Sequence, residues 1–281
     1  MTTRPAAVAG TWYPGTAGAL RQEVEAYLAA ADVPPLSDVS ALIAPHAGLM
    51  FSGPVGAYAY KAVAGSGCEV IFLVGPSHFM AFEGVSVWPE GEFASPLGPA
   101  VIDKLGAADI LSDPVAHVTP EAHRREHSIE MQLPFIRMVL PHAAIVPMLM
   151  GFQRRDTIEA TAQALARAAR GRRSLLVAST DLSHYFDATQ AATLDGRVRE
   201  FVRTFDADGL LQLFEQYPEQ ERGRYVACGG GPAIAVMKAA RELGASDGRV
   251  LKYAHSGEVS GDYDGVVGYL AGAFGRFADA H

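Results

Sequence analysis

Val70-Ile-Phe-Leu-Val-Gly-Pro-Ser-His78 is the stretch from which the fold can be read. Five apolar residues in a row, Val70 to Val74, describe a strand covered on both faces, since a half-exposed strand would alternate apolar with polar. Gly75 and Pro76 end the run, and a histidine stands where the chain turns. The same order recurs: Ala41-Leu-Ile-Ala44 leads into Pro45 and His46, Leu175-Leu-Val-Ala178 into Asp181 and His184, and Val250-Leu-Lys-Tyr253 into His255. Ala144 to Met150 is a further buried run.

Helical patterns lie between these runs. Thr16 to Ala31 carries Leu20, Val24 and Leu28 at i, i+4 spacing, and Asp156-Thr-Ile-Glu has the form of a capping box for a helix reaching about Arg170. A third pattern follows Gly229-Gly-Gly, with Pro232 in a first turn that tolerates it. Strands alternating with helices predict one three-layer α/β domain over residues 1–281, its central sheet mixed but largely parallel and flanked by helices. Asp264 to Gly275 reads as one more strand, with an antiparallel pairing open to it, and Pro89 to Pro99 as a loop.

With 281 residues, 49% hydrophobic and 19% charged, the chain can bury a substantial core. Its net charge of −8 argues against a general affinity for nucleic acid or anionic membranes. Met1 to Gly15 lacks the basic start and apolar run of a secretory signal, and no apolar run reaches membrane-spanning length. A soluble cytoplasmic protein is expected, with Cys68 and Cys228 as reduced thiols. Arginine carries most of the basic charge beside many alanines, a bias typical of a GC-rich bacterial genome.

In open α/β sheets, ligands sit beyond the carboxyl ends of the strands, so residues following those ends converge on one crevice. His46 and His78 stand in proline-stiffened turns, the rigid presentation a metal ligand needs. Asp181 and His184 lie three residues apart after one strand; the carboxylate can fix the imidazole for acid–base work, or the pair can cap the next helix. Glu126 to Phe135 reads as helical up to Pro134, which sets His127 and Glu130 on one face as a pocket wall or a solvated stripe. His255 is an outer contributor from a flexible loop, whereas His117, His123, His142 and His281 read as ordinary loop histidines. Trp12 and Tyr13 suit a pocket rim. Cys228, before three glycines at the head of a helix, is a metal ligand, a nucleophile or buried filling.

Taken in order, Ala9-Gly-Thr-Trp-Tyr-Pro14, Ala44-Pro-His-Ala-Gly48, Gly75-Pro-Ser-His78, Glu126-His-Ser-Ile-Glu-Met131, Ser179-Thr-Asp-Leu-Ser-His184 and Cys228-Gly-Gly-Gly-Pro232 resemble the Memo family across the whole chain. The resemblance implies a fold similar to class III extradiol dioxygenases of the LigB type, non-haem iron enzymes that hold their metal with two histidines and a carboxylate. Here it implies a two-histidine, one-cysteine set at His46, His78 and Cys228, with Asp181 and His184 lining the pocket and Trp12 at its rim. A thiolate in place of a carboxylate favours softer ions, so Fe(II) or copper is expected, with zinc next. The resemblance further implies a functional link to a radical-SAM protein. Three functions stay open: a metal-dependent oxidoreductase using His184 and Asp181 on a small molecule, a non-catalytic protein that binds metal or peptide, and a thiol hydrolase built on Cys228, His184 and Asp181.

Overall fold

A computed structural model describes residues 2–277; His281 lies outside them. Its main sheet has nine strands: β2 (Val39–Ala44), β3 (Val70–Pro76), β4 (Val85–Val87), β7 (Ala116–His117), β8 (Ala144–Met150), β9 (Ser174–Ser179), β10 (His184–Phe186), β11 (Asp247–His255) and β12 (Val266–Gly275). A small second sheet joins β1 (Thr3–Arg4), β5 (Glu92–Phe93) and β6 (Ala100–Val101). Strands β2, β9, β3 and β8 lie side by side and parallel, which explains their continuous apolarity: both faces are covered. β12 runs antiparallel to both β2 and β11, and β4 antiparallel to β8, so the sheet is mixed.

Helix Gly230–Glu242 packs on one face with Arg155–Ala169 and Ala207–Glu215, while Ala17–Ala30, Leu49–Lys61 and Leu133–Val139 form the third layer. Among the described residues, no helix is long and apolar enough to cross a membrane. The parallel pairing brings the carboxyl ends of β2, β3 and β9 together, and that edge carries His46, His78 and Asp181.

Some local expectations change. The helix expected from Asp156 begins at Arg155, after Arg154 in extended conformation, so Asp156 sits in the first turn and accepts only from the Thr157 amide, not as a cap. Glu126 to Ile129 is a turn, followed by a 3₁₀ turn over Glu130–Gln132 and a helix over Leu133–Val139. Pro134 therefore opens a helix instead of ending one, because its missing N–H costs nothing in a first turn. The segment Pro89 to Pro99 contains β5 and is not only loop.

The N-terminal arm is pinned by a buried carboxylate. Glu130 accepts from Arg4, from the Ala7 and Val8 amides at 2.7 and 3.0 Å, and from the Tyr13 hydroxyl at 2.8 Å. Arg4 also donates to the carbonyls of His123, at 3.0 Å, and Glu126.

His123 is buried among these groups and donates from Nε2 to the Ser86 carbonyl at 3.2 Å. Burial lowers its pKa to about 3. The unfolded chain takes up this proton near pH ~6.5 and the folded chain does not. Acidification below that pH therefore removes up to ~1.4 kcal/mol of stability per pH unit, until the folded histidine titrates. Urea unfolding between pH 7 and pH 4 is expected to show a shallower loss of stability in His123→Phe than in wild type; equal slopes would contradict this assignment.

Candidate functional site

Each candidate ligand is fixed first through its backbone. The His46 amide donates to Asp181 Oδ1 at 2.7 Å, and Asp181 also accepts from the Ala47 amide. The His78 amide donates to Glu126 Oε2 at 2.6 Å. The Cys228 amide donates to the Asp181 carbonyl at 3.2 Å, which ties the cysteine to the end of β9. Gly229 has an ordinary negative φ; what it needs is space, since a Cβ there would stand 2.4 Å from the Ser179 carbonyl. Gln153 completes the turn, donating to the Cys228 carbonyl and accepting from the Gly231 amide, both at 2.7 Å.

The side chains then converge. Cys228 Sγ lies 3.2 Å from His46 Nε2, and the ligand atoms of His46, His78 and Cys228 all fall within 4.8 Å of one another. The far nitrogens of both imidazoles are already committed. Ser179 Oγ gives its proton to the Ser128 carbonyl at 2.6 Å, so it accepts from His46 Nδ1 at 2.9 Å. Gln132 donates to the same hydroxyl at 2.8 Å and to the Pro45 carbonyl at 2.9 Å. His78 Nδ1 donates to Glu126 Oε1 at 2.9 Å. The Nε2 atoms of both rings are thereby the ones that face Cys228, the ring orientation that metal-bound histidines adopt.

Burial by itself raises the Cys228 thiol, but His46 and His78 outweigh it and hold the thiol below its ordinary range. Against the partial burial of its ring, Cys228 and Glu126 hold His78 above the usual imidazole range. Cys68, also a free thiol, is pushed up to about 11 by burial and stands apart from this site.

A cavity of about 480 Å³ opens over these groups, lined by Trp12, His127, Asp181, His184, Tyr185 and Arg224 besides the three ligand candidates. His184 Nδ1 donates to its near neighbour, the Leu182 carbonyl, at 2.7 Å. That fixes the tautomer with Nε2 as the basic atom, and it does so without Asp181. Asp181 and His184 do face the same cavity and interact electrostatically, but the carboxylate does not set the tautomer: Asp181 is buried and holds the His46–Ala47 turn. A Cys228, His184, Asp181 triad is not assembled either, because the imidazoles against Cys228 are those of His46 and His78.

His127 reaches the cavity from a turn instead of a helix face. Its ring stacks on His78 at 4.6 Å and meets Trp12 at 4.3 Å. Burial, reinforced by His46, lowers its pKa to about 3. Glu130 does not line the cavity; all its contacts serve the N-terminal arm. Tyr13 is buried with it, so only Trp12 of that pair is at the rim. His255 is also outside the cavity lining, set against Tyr263 with its amide on Glu258. Sequence reasoning missed Glu126, Ser179 and Gln132 as orienting groups. Ser179 and Gln132 stand out as polar positions beside apolar ones, whereas Glu126, among Arg124, Arg125, His127 and Ser128, gives no such signal.

A family model described as Memo-like protein matches residues 4–273. A MEMO1 family protein of Methanopyrus kandleri is 37% identical, over 97% of this chain and 99% of that one. One of Methanothermobacter thermautotrophicus is 34% identical, over 96% and 99%, and one of Nitrosopumilus maritimus 30%, over 95% and 98%. All three are archaeal, so the bacterial source expected from arginine usage has no support among them. The crystal structure of an uncharacterized protein from Escherichia coli K12 is similar with a TM-score of 0.58 and 13% identity, over 84% of this chain and all of that one, a likeness of fold alone.

Proposed function

The chain belongs to the Memo family, and from that premise we propose that His46, His78 and Cys228 hold one metal ion at the floor of a small-molecule pocket, for oxidoreductase chemistry. The supporting observation is that both Nδ1 atoms are hydrogen-bonded away from the cavity while both Nε2 atoms face a thiol inclined to ionise. A soft sulfur with two imidazoles fits Fe(II) or copper first and zinc next. When bound, such an ion supplies Lewis acidity and, as iron or copper, one-electron chemistry.

The chain's own residues supply the rest. His184 accepts or returns a proton at Nε2, its ring held by the Leu182 carbonyl. Trp12 and His127, in contact with each other, form one wall above the floor. Asp181 keeps the His46 turn in place, acting on position and not on the proton. Two unpaired thiols suit a reducing cytoplasm, and the functional link to a radical-SAM protein belongs to this same reading.

Cobalt(II) tests it, because a thiolate ligand gives a charge-transfer band in the near ultraviolet. One equivalent added to metal-free protein is expected to produce that band, and Cys228→Ser to abolish it. No band in the wild type would overturn the reading. Ser179→Ala removes the acceptor for His46 Nδ1, and is expected to weaken cobalt binding ~10–100-fold in competition with a chelator. Unchanged affinity would show that Ser179 does not orient His46.

A further inference from the structure

Tyr185 has the backbone of a glycine. Its φ is +63°, in the left-handed region, and it sits at the register shift of the β10–β12 pairing between His184 and Phe186. Bulges of this kind re-aim side chains and are frequent beside active sites. A non-glycine residue held there is strained, because its Cβ crowds the neighbouring carbonyl oxygen. Packing offsets little of that strain: the residue is 70% exposed, and the ring meets His184 edge-on at 5.6 Å. The bulge aims a large aromatic ring at the pocket mouth, where Tyr185 joins the lining.

Arg224 lines the same cavity. Its helix, Arg222–Tyr225, lies against the cysteine, since a Cβ on Gly223 would meet Cys228 Cα at 3.5 Å. The Arg224 guanidinium rests over the Phe186 and Tyr225 rings at 4.9 and 5.7 Å, and no carboxylate among the described residues pairs with it. Among the described residues, Asp181 is the only carboxylate lining the cavity, and it is buried and committed to the His46 turn. A chain of net charge −8 thus presents a cationic, aromatic mouth over this cavity.

We propose that the pocket takes a planar organic carboxylate, its flat body between Tyr185 and Trp12 and its anionic group on Arg224. This rests on the pocket assigned above and names its class of ligand. A volume of about 480 Å³ suits a small molecule. Placing the anion on an otherwise unpaired guanidinium at the mouth gives charge-assisted hydrogen bonds, which separates an acid from its neutral analogue.

The test uses the full-length, metal-free protein, with 2-naphthoate and the neutral 2-naphthalenemethanol as probes in calorimetric or NMR titrations. Naphthoate is expected to bind about tenfold or more tightly than the alcohol, and Arg224→Met to erase that preference while Arg224→Lys keeps part of it. Tyr185→Asn, which tolerates the left-handed backbone, is expected to weaken both probes several-fold with no fall in melting temperature. Equal binding of the two probes, failure of both to bind, or an unchanged preference in Arg224→Met would overturn the proposal. So would a Tyr185→Asn protein that melts earlier but binds as before, since the ring would then serve only the fold. Because no metal is present, a naphthoate preference without a cobalt band would sink the metal reading alone, and the converse would sink this one alone.

Discussion

Cys228→Ala is expected to lower metal affinity by more than ~100-fold, beyond the range set by losing a group that merely orients a ligand. The thiol is the point on which both imidazoles converge, and it is inclined to ionise because they do. Without it two neutral nitrogens remain, with no charged donor beside them. The substitution is mild for the fold, since Cys228 Sγ otherwise makes weak contacts, with the Asp181 amide at 3.3 Å, the Asp181 carbonyl at 3.7 Å and Thr180 Oγ1 at 3.9 Å. Cobalt competition and thermal melting on the same samples separate the two effects. A large loss of affinity with a nearly unchanged melting temperature is the expected pair of results; wild-type affinity in Cys228→Ala would remove the cysteine from the site.

Glu130→Ala is expected to be the most damaging substitution for stability, costing about 3–5 kcal/mol, because it leaves Arg4 as a buried charge without its partner. It also strips acceptors from the Tyr13 hydroxyl and the Ala7 and Val8 amides. Set against the ~5–15 kcal/mol that typically separates folded from unfolded chains, this is a large share. Glu130→Gln keeps the shape but not the charge, and is expected to fall between the two. Trp12 follows the same arm, and its carbonyl accepts from the Leu49 amide at 2.8 Å, so loosening the arm also loosens a pocket wall. Urea unfolding measures the effect; a loss below about 1 kcal/mol would show that the carboxylate is not the arm's anchor.

The contrast between Glu130 and His46 shows what the sequence carried. A run such as Ala41 to Ala44 announces a buried strand by itself, and the crevice beyond parallel strands then follows from topology, so His46 and His78 were legible. Glu130 spends its charge on Arg4, 126 residues away, and no local pattern declares such a pair. His127 and Glu130 seemed to share a helix face because Pro134 looked like a helix end; it is a helix start, and the turn before it sends the two side chains apart. His184 takes its tautomer from a backbone carbonyl two residues back, which spacing to Asp181 could not reveal. Tyr185 gave no signal at all, since a left-handed tyrosine looks in sequence like any other.

The central claim is that His46, His78 and Cys228 hold a metal together. Elemental analysis of protein purified without oxygen tests it most directly, with wild type beside His46→Ala and Cys228→Ser. Near-stoichiometric iron, copper or zinc in the wild type, and its loss in both variants with the fold retained, is the predicted result. Metal-free wild type, or equal metal in all three proteins, would contradict the claim.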